Sequence, residues 1–262
     1  MPDIAGITGR VALITDASGP NMSRAAAHLS ASKGAKVFVA DVNAAGLKET
    51  VSQVRAAGGE ITAVTANLLD EASVSSLITQ TRAAYGGVHS VLNFAAAYEP
   101  RHGTMECTLA NWNRILGVTL KGTRLVGKHA MLAIRENPPV GKEDWRGAIV
   151  CIASAVAHRG ARGFVAYTAA KAGVLGLTRA MAADGAPFGI RVNCISPSLT
   201  RTPATPLEEG SEAEQRSVQS LHLLQYMCEP EDQAQAAMWL CSDAARTLTG
   251  SILNVNAGWT AK

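Results

Sequence analysis

The segment VALITDASGPNMSRAAAHL, residues 11–29, runs from five apolar or β-branched residues through a turn of small and polar ones into a stretch that opens a helix. A strand feeding a helix through such a turn gathers backbone N–H groups and the positive end of the helix dipole at one point, an arrangement that suits a pyrophosphate. Gly19 alone survives where a dinucleotide-binding turn carries three glycines, so this segment by itself is read equally well as an ordinary strand-to-helix turn.

Outward from it the same alternation repeats. Strands are expected at Val11–Thr15, Lys36–Ala40, Ile61–Thr65, Val88–Asn93, Ala148–Ala153, Ile190–Ile195 and Ile252–Val255, and helices near Ser23–Lys33, Ala44–Ala57, Glu71–Tyr85, Leu109–Arg135, Val165–Asp184 and Pro230–Ser242. Short β-branched runs separated by amphipathic helices predict an α/β architecture, a doubly wound Rossmann-type fold with a seven-stranded parallel sheet and helices on both faces. No linker-like composition divides the chain, so residues 1–262 are expected to form one domain. The least regular connection, 197–229, has three early prolines and the charged middle LEEGSEAEQR. A lid over a binding site is the favoured reading, with a solvated helix as the alternative.

Composition narrows the function classes. With 47% hydrophobic and 17% charged residues and a net charge of +3, the chain reads as globular, and its scattered Lys and Arg give no nucleic-acid footprint. The five cysteines lie apart and form no zinc-ligand spacing with histidine, so no metal site is expected, and reduced thiols suit the cytoplasm. MPDIAGITGR lacks the pattern of a secretory leader, and no apolar run approaches the roughly 18 residues of a membrane span.

Two further places carry chemistry. The run KVFVA ends in Asp41, at the distance from the turn where a carboxylate accepts from the adenosine ribose hydroxyls. It would repel a 2′-phosphate, so NAD is expected over NADP. In IASAVAHRGARGFVAYTAAKAG, residues 152–173, Tyr167 and Lys171 share one helix face, and the ammonium is expected to lower the phenol's pKa. Ser154 closes the preceding strand, where its hydroxyl can meet a substrate oxygen. A YxxxK pair alone usually marks a solvated helix face, but thirteen residues beyond a strand-terminal serine it is harder to explain that way.

From about Gly9 onward the chain resembles the short-chain dehydrogenase/reductase family. The resemblance rests on the Gly19 turn, Asp41, LNFAAA at 92–97 in place of an NNAG-like motif, the Ser154, Tyr167 and Lys171 set, IRVNCISPS at 190–198, PED at 230–232 and TGSILNVNAGW. It implies hydride transfer between a nicotinamide and an alcohol or ketone, with Ser154, Tyr167, Lys171 and Thr119 in the catalytic set. Cofactor contacts are implied at Ser18, Gly19, Met22, Asp41, Asn67, Leu68, Asn93, Ala95, Tyr167, Lys171, Pro197, Thr200 and Thr202, together with a homotetramer. The chain departs from the family at Asp16 and Ser23, where glycines belong, at Ala96 and Ser198, and at Thr119, which replaces a catalytic Asn. Its Tyr and Lys are four apart, unlike the seven of the enoyl-reductase branch. On this reading Thr119→Asn should raise kcat by restoring a proton path. The rival readings are a dinucleotide-binding protein whose catalysis has decayed, motivated by the lost glycines, and an NADPH-dependent ketone reductase, which Asp41 opposes.

Overall fold

The computed structural model describes residues 6–98, 101–140 and 144–262. Seven strands, β1 (Val11–Thr15), β2 (Lys36–Asp41), β3 (Ile61–Thr65), β4 (Ser90–Asn93), β5 (Gly147–Ile152), β6 (Ile190–Pro197) and β7 (Ile252–Val255), form one sheet in the order β3-β2-β1-β4-β5-β6-β7. All six pairings are parallel. The strand order reverses between β1 and β4, so the crevice beyond Thr15 and Asn93 is the topological switch point, where open α/β sheets bind ligands.

The period-two side-chain pattern sorts the core into two layers. Ala12 and Ile14 of β1 join Val37 and Val39 of β2 under α1 (Met22–Ser32), α2 (Ala44–Ala56) and α9 (Pro230–Cys241). Leu13, Phe38, Val91 and Ile149 face the opposite way, against α3 (Glu71–Tyr85), α5 (Gly122–Ile134) and α7 (Val165–Gly185). Both faces of the sheet are therefore covered, which is why its strands read as nearly continuous apolar runs. Helix starts follow their capping residues: Asn43 Oδ1 accepts from Gly46 N, Asp70 Oδ1 from Ala72 N, and Glu229 with Asp232 closes a capping box behind Pro230.

Two expectations are amended. The helix expected over Leu109–Arg135 is α4 (Leu109–Leu116) and α5 joined through a π-helical turn, Gly117–Lys121. The connection 197–229 is also less irregular than the lid reading expects, because α8 (Glu212–Leu221) occupies its second half. Ser211 caps that helix through Glu214 N, and Glu212 and Glu214 place carboxylates in its first turn. A four-residue helix, α6 (Val156–Arg159), follows β5. No helix among the described residues is long and apolar enough to cross a membrane, and none of those residues form a metal-binding group.

Candidate active site

The turn after β1 is built without the glycines that usually make it. Asp16 takes the left-handed conformation, φ 66°, which aspartate tolerates better than most residues that bear a Cβ. Side chains then do what glycine backbone does elsewhere. Asn21 Nδ2 and Ser23 Oγ both donate to the Asp16 carbonyl, at 2.9 and 2.5 Å, while Asn21 Oδ1 caps α1 through Arg24 N. From behind, Arg24 donates to Ser18 O, Thr50 Oγ1 and Glu49, and Thr50 Oγ1 donates to Ala17 O at 2.6 Å. Gly46 of α2 lies so close that a Cβ there would fall 2.0 Å from Ser18 O. Gly19 and Met22 border this turn, the first in the bend and the second at the start of α1.

Asp41 ends β2 beside the turn. Its Oδ2 accepts from Ser18 N at 3.2 Å and its Oδ1 from Asn43 N at 3.0 Å, so the carboxylate is oriented yet half-exposed. Asn67, expected to contact a cofactor, turns its amide oxygen back onto Leu69 N, and Leu68 is buried where α5 approaches at Gly122.

At the end of β4, Asn93 is consumed internally. Its Oδ1 accepts from Thr15 Oγ1 and its Nδ2 donates to Thr123 Oγ1, both at 2.9 Å. Thr15 Oγ1 also receives Ala95 N, and Thr123 Oγ1 donates to Thr119 O at 2.6 Å. Thr119 is fully buried, and its own hydroxyl accepts from Ala97 N at 3.1 Å. It thereby ties the π-helical turn to the segment that carries Tyr98.

Ser154 follows β5, and its hydroxyl lies close enough to that of Tyr167 on α7 to favour the ionised phenol. The Tyr167 ring packs edge-on against Tyr98, with centroids 5.4 Å apart, and tilted against Phe164 at 6.2 Å. A small cavity beside it is lined by Tyr98, His102, Cys107, Ile115 and Phe164. Lys171 is buried, donates to Ile152 O at 2.6 Å and lies 5.6 Å from the Tyr167 ring centroid.

The electrostatics correct the sequence expectation. Burial pushes the Tyr167 phenol well above its ordinary value, Tyr98 and Asp16 add to the rise, and only the Ser154 hydroxyl opposes it. Burial lowers Lys171 to about 8 despite the opposing influence of Cys194, Asp16 and Cys151. A shared helix face brings the ammonium to the ring, and desolvation of the phenol nevertheless dominates.

On the far side of the crevice, Pro197 O accepts from Ala155 N at 2.7 Å, holding the end of β6 against the segment after β5. Thr200 Oγ1 donates to Ser198 O, and Thr200 pairs with Cys228 across the mouth of the 197–229 connection, with Thr202 half-buried just beyond. Ser198 Oγ shares a 2.7 Å hydrogen bond with Nε2 of the fully buried His222, whose Nδ1 donates to Tyr226 O. Arg201 pairs with Glu214 at 2.8 Å and Glu229 at 3.0 Å. The fold thus brings together Ser154, Tyr167 and Lys171 in one cluster and Ser18, Gly19 and Asp41 in another. The side chains of Asn93 and Thr119 lie in the framework between them. Sequence reading missed Asp16 and Tyr98 as site residues; the one signal was a charged residue standing where the turn wants glycine.

Comparison with known proteins agrees with this geometry. The family model described as Enoyl-(Acyl carrier protein) reductase matches residues 17–260. A 2,5-dichloro-2,5-cyclohexadiene-1,4-diol dehydrogenase of Sphingobium indicum is 35% identical over 100% of both chains. A cis-4-hydroxycyclohexanecarboxylate dehydrogenase of Sinomonas cyclohexanicum is 35% identical over 96% of this chain and 97% of its own. Among solved structures, a short-chain type dehydrogenase/reductase from Mycobacterium ulcerans superposes with a TM-score of 0.90 at 26% identity, covering 97% of this chain and 91% of its own. A Burkholderia xenovorans structure described as a short-chain dehydrogenase/reductase gives 0.87 at 32% identity over 98% of each. A reversal of strand order at β1 and β4, a serine, tyrosine and lysine grouped beside it, and likeness along nearly the whole chain have one common reading: the chain belongs to the short-chain dehydrogenase/reductase family.

Proposed function

We propose that the chain is an NAD-dependent dehydrogenase that interconverts a secondary alcohol and its ketone, with the carbinol carbon in a six-membered ring. The observation that carries the reading is the closeness of the Ser154 and Tyr167 hydroxyls at the carboxyl end of β5, beside an aromatic-walled cavity. The ring preference rests on the Tyr98 and Phe164 faces that flank Tyr167 and on the relatives named for cyclic substrates.

The residues present fit a nicotinamide dinucleotide. On this reading Asp41, already held by Ser18 N and Asn43 N, would accept from an adenosine ribose, the start of α1 would receive the diphosphate, and Lys171 would meet the second ribose. Asp41 favours NAD because a 2′-phosphate there would face like charge. When bound, the cofactor takes or gives the hydride at the carbinol carbon.

The chain's own part is positioning and proton transfer. Ser154 holds the substrate oxygen by a hydrogen bond. In reduction Tyr167, neutral because burial holds its pKa up, gives its proton to that oxygen and becomes a tyrosinate; in oxidation the tyrosinate takes the hydroxyl proton and returns to the neutral phenol. The 197–229 connection, clasped by Arg201, acts as a lid over the substrate. The five free cysteines suit a cytoplasmic protein, and apolar side chains exposed at Leu132 and Phe188 suit a homotetramer.

The test is the absorbance of reduced nicotinamide during incubation with a panel of cyclic alcohols and ketones. Turnover should fall by about 10²-fold or more in Tyr167→Phe while cofactor binding persists. Unchanged turnover in that variant would refute the assignment, and a panel without turnover would leave the decayed-binder reading in its place.

A further inference from the structure

The proposed chemistry leaves one charged group in the crevice unused. Strand β1, between β2 and β4, delivers Asp16 to the switch point, where a strained left-handed backbone aims a half-buried carboxyl beside the start of α1. Among the described residues that carboxyl receives one long hydrogen bond, from Asn21 Nδ2 at 3.5 Å. Asn21 is the cap of α1, so the carboxyl stands at the helix end that would receive a diphosphate.

Charged and titratable groups face it from each element packed around it. Asp41 comes from β2, and Lys171 and Tyr167 come from α7. Arg24 of α1 is committed to Ser18 O, Thr50 and Glu49 of α2, and residues 94–98 carry no charge. Burial and Asp41 outweigh Lys171 and raise the Asp16 carboxyl to about 7.

We propose that Asp16 governs dinucleotide affinity as a proton-dependent gate on the diphosphate position, binding being tight only when its carboxyl is uncharged. The inference rests on the dinucleotide reading of the site. Ionised, the carboxylate competes for the N–H groups that open α1 and repels the incoming phosphates. Protonated, it loses the repulsion and gains an O–H that can donate to a phosphate oxygen.

Calorimetric titration with ADP-ribose, which has the diphosphate but no nicotinamide, tests this without turnover, and adenosine serves as the control. For the wild-type protein the Kd of ADP-ribose should rise about tenfold from pH 6 to pH 8, while that of adenosine moves less than about twofold. Asp16→Asn should bind ADP-ribose at the tighter value throughout. Asn also tolerates the left-handed backbone, and thermal melts confirm the fold. Three outcomes would overturn the gate: the same pH slope in Asp16→Asn, an equal slope for adenosine, or tighter binding as pH rises, which would mean that the carboxylate accepts from a ribose. ADP-ribose binding at no pH would instead overturn the dinucleotide reading itself.

Discussion

Thr119→Val tests what the hydroxyl in the π-helical turn does. Valine preserves the branched shape in a site of 0% exposure, so packing is little disturbed, but it removes the acceptor for Ala97 N. Ala97 is itself buried, at 6% exposure, and its N–H would be left without a partner at a cost of about 1–3 kcal/mol. For a chain of this length that corresponds to a fall in Tm of roughly 2–10 °C, read by calorimetry or as the equivalent shift in urea midpoint. Tyr98 follows Ala97 and packs on Tyr167, so KM for a ring substrate should rise along with the loss of stability. Thr119→Asn, which the family resemblance expects to raise kcat, instead places a larger amide in a filled site. It should lower stability by about 1–3 kcal/mol and leave kcat no higher. A Thr119→Val protein that melts within a degree of wild type would refute the reasoning, as would a faster Thr119→Asn enzyme.

Three other outcomes follow from the site. Asp16 takes up its proton more readily folded than unfolded, so between its ordinary value near 4 and about 7 the folded state binds more protons and stability falls as pH rises; Asp16→Asn should therefore raise the urea midpoint at pH 8 but not at pH 3.5. NAD should bind at least about tenfold more tightly than NADP, a gap that Asp41→Ala should narrow; equal wild-type affinities in a fluorescence titration would mean that Asp41 does not meet the ribose. Light scattering at micromolar concentration should give the mass of a tetramer, and a monodisperse monomer of about the 27.3 kDa chain mass would remove that assembly.

The strands were legible because a doubly covered parallel sheet writes itself as apolar runs. Leu13 and Ile14 serve opposite layers, yet both read as core. The Ser154, Tyr167 and Lys171 group was legible for the same kind of reason, since a strand end and one helix face fix it locally. Residues whose partners lie far along the chain were not. The Asn93 side chain is held by Thr15 and Thr123, 78 and 30 residues away, partners that no local spacing reveals. The high pKa of Tyr167 depends on Tyr98 and on burial that no spacing rule contains. The turn at 16–23 looked damaged because glycines were counted, whereas Asn21 and Ser23 supply by side chain what the missing glycines supply by backbone freedom. The helix α8 was hidden by its polarity, although Ser211 and the acidic residues after it mark its start.

The π-helical turn at Gly117–Lys121 also bears on how the chain can change over time. A π turn holds one residue more than an α turn, and one residue is about 100° of rotation on a helix. Before the slip, Ile115 points into the cluster with Ala166 and Ala170; after it, Leu125 and Val126 point into the layer beneath the sheet. Because the wide turn takes up the extra residue without adding its rotation, deleting one residue of Gly117–Lys121 would restore regular α winding and leave both faces directed at their partners. The stretch is therefore where this helix pair can gain or lose a single residue over time without reorienting the side chains packed on either side of it.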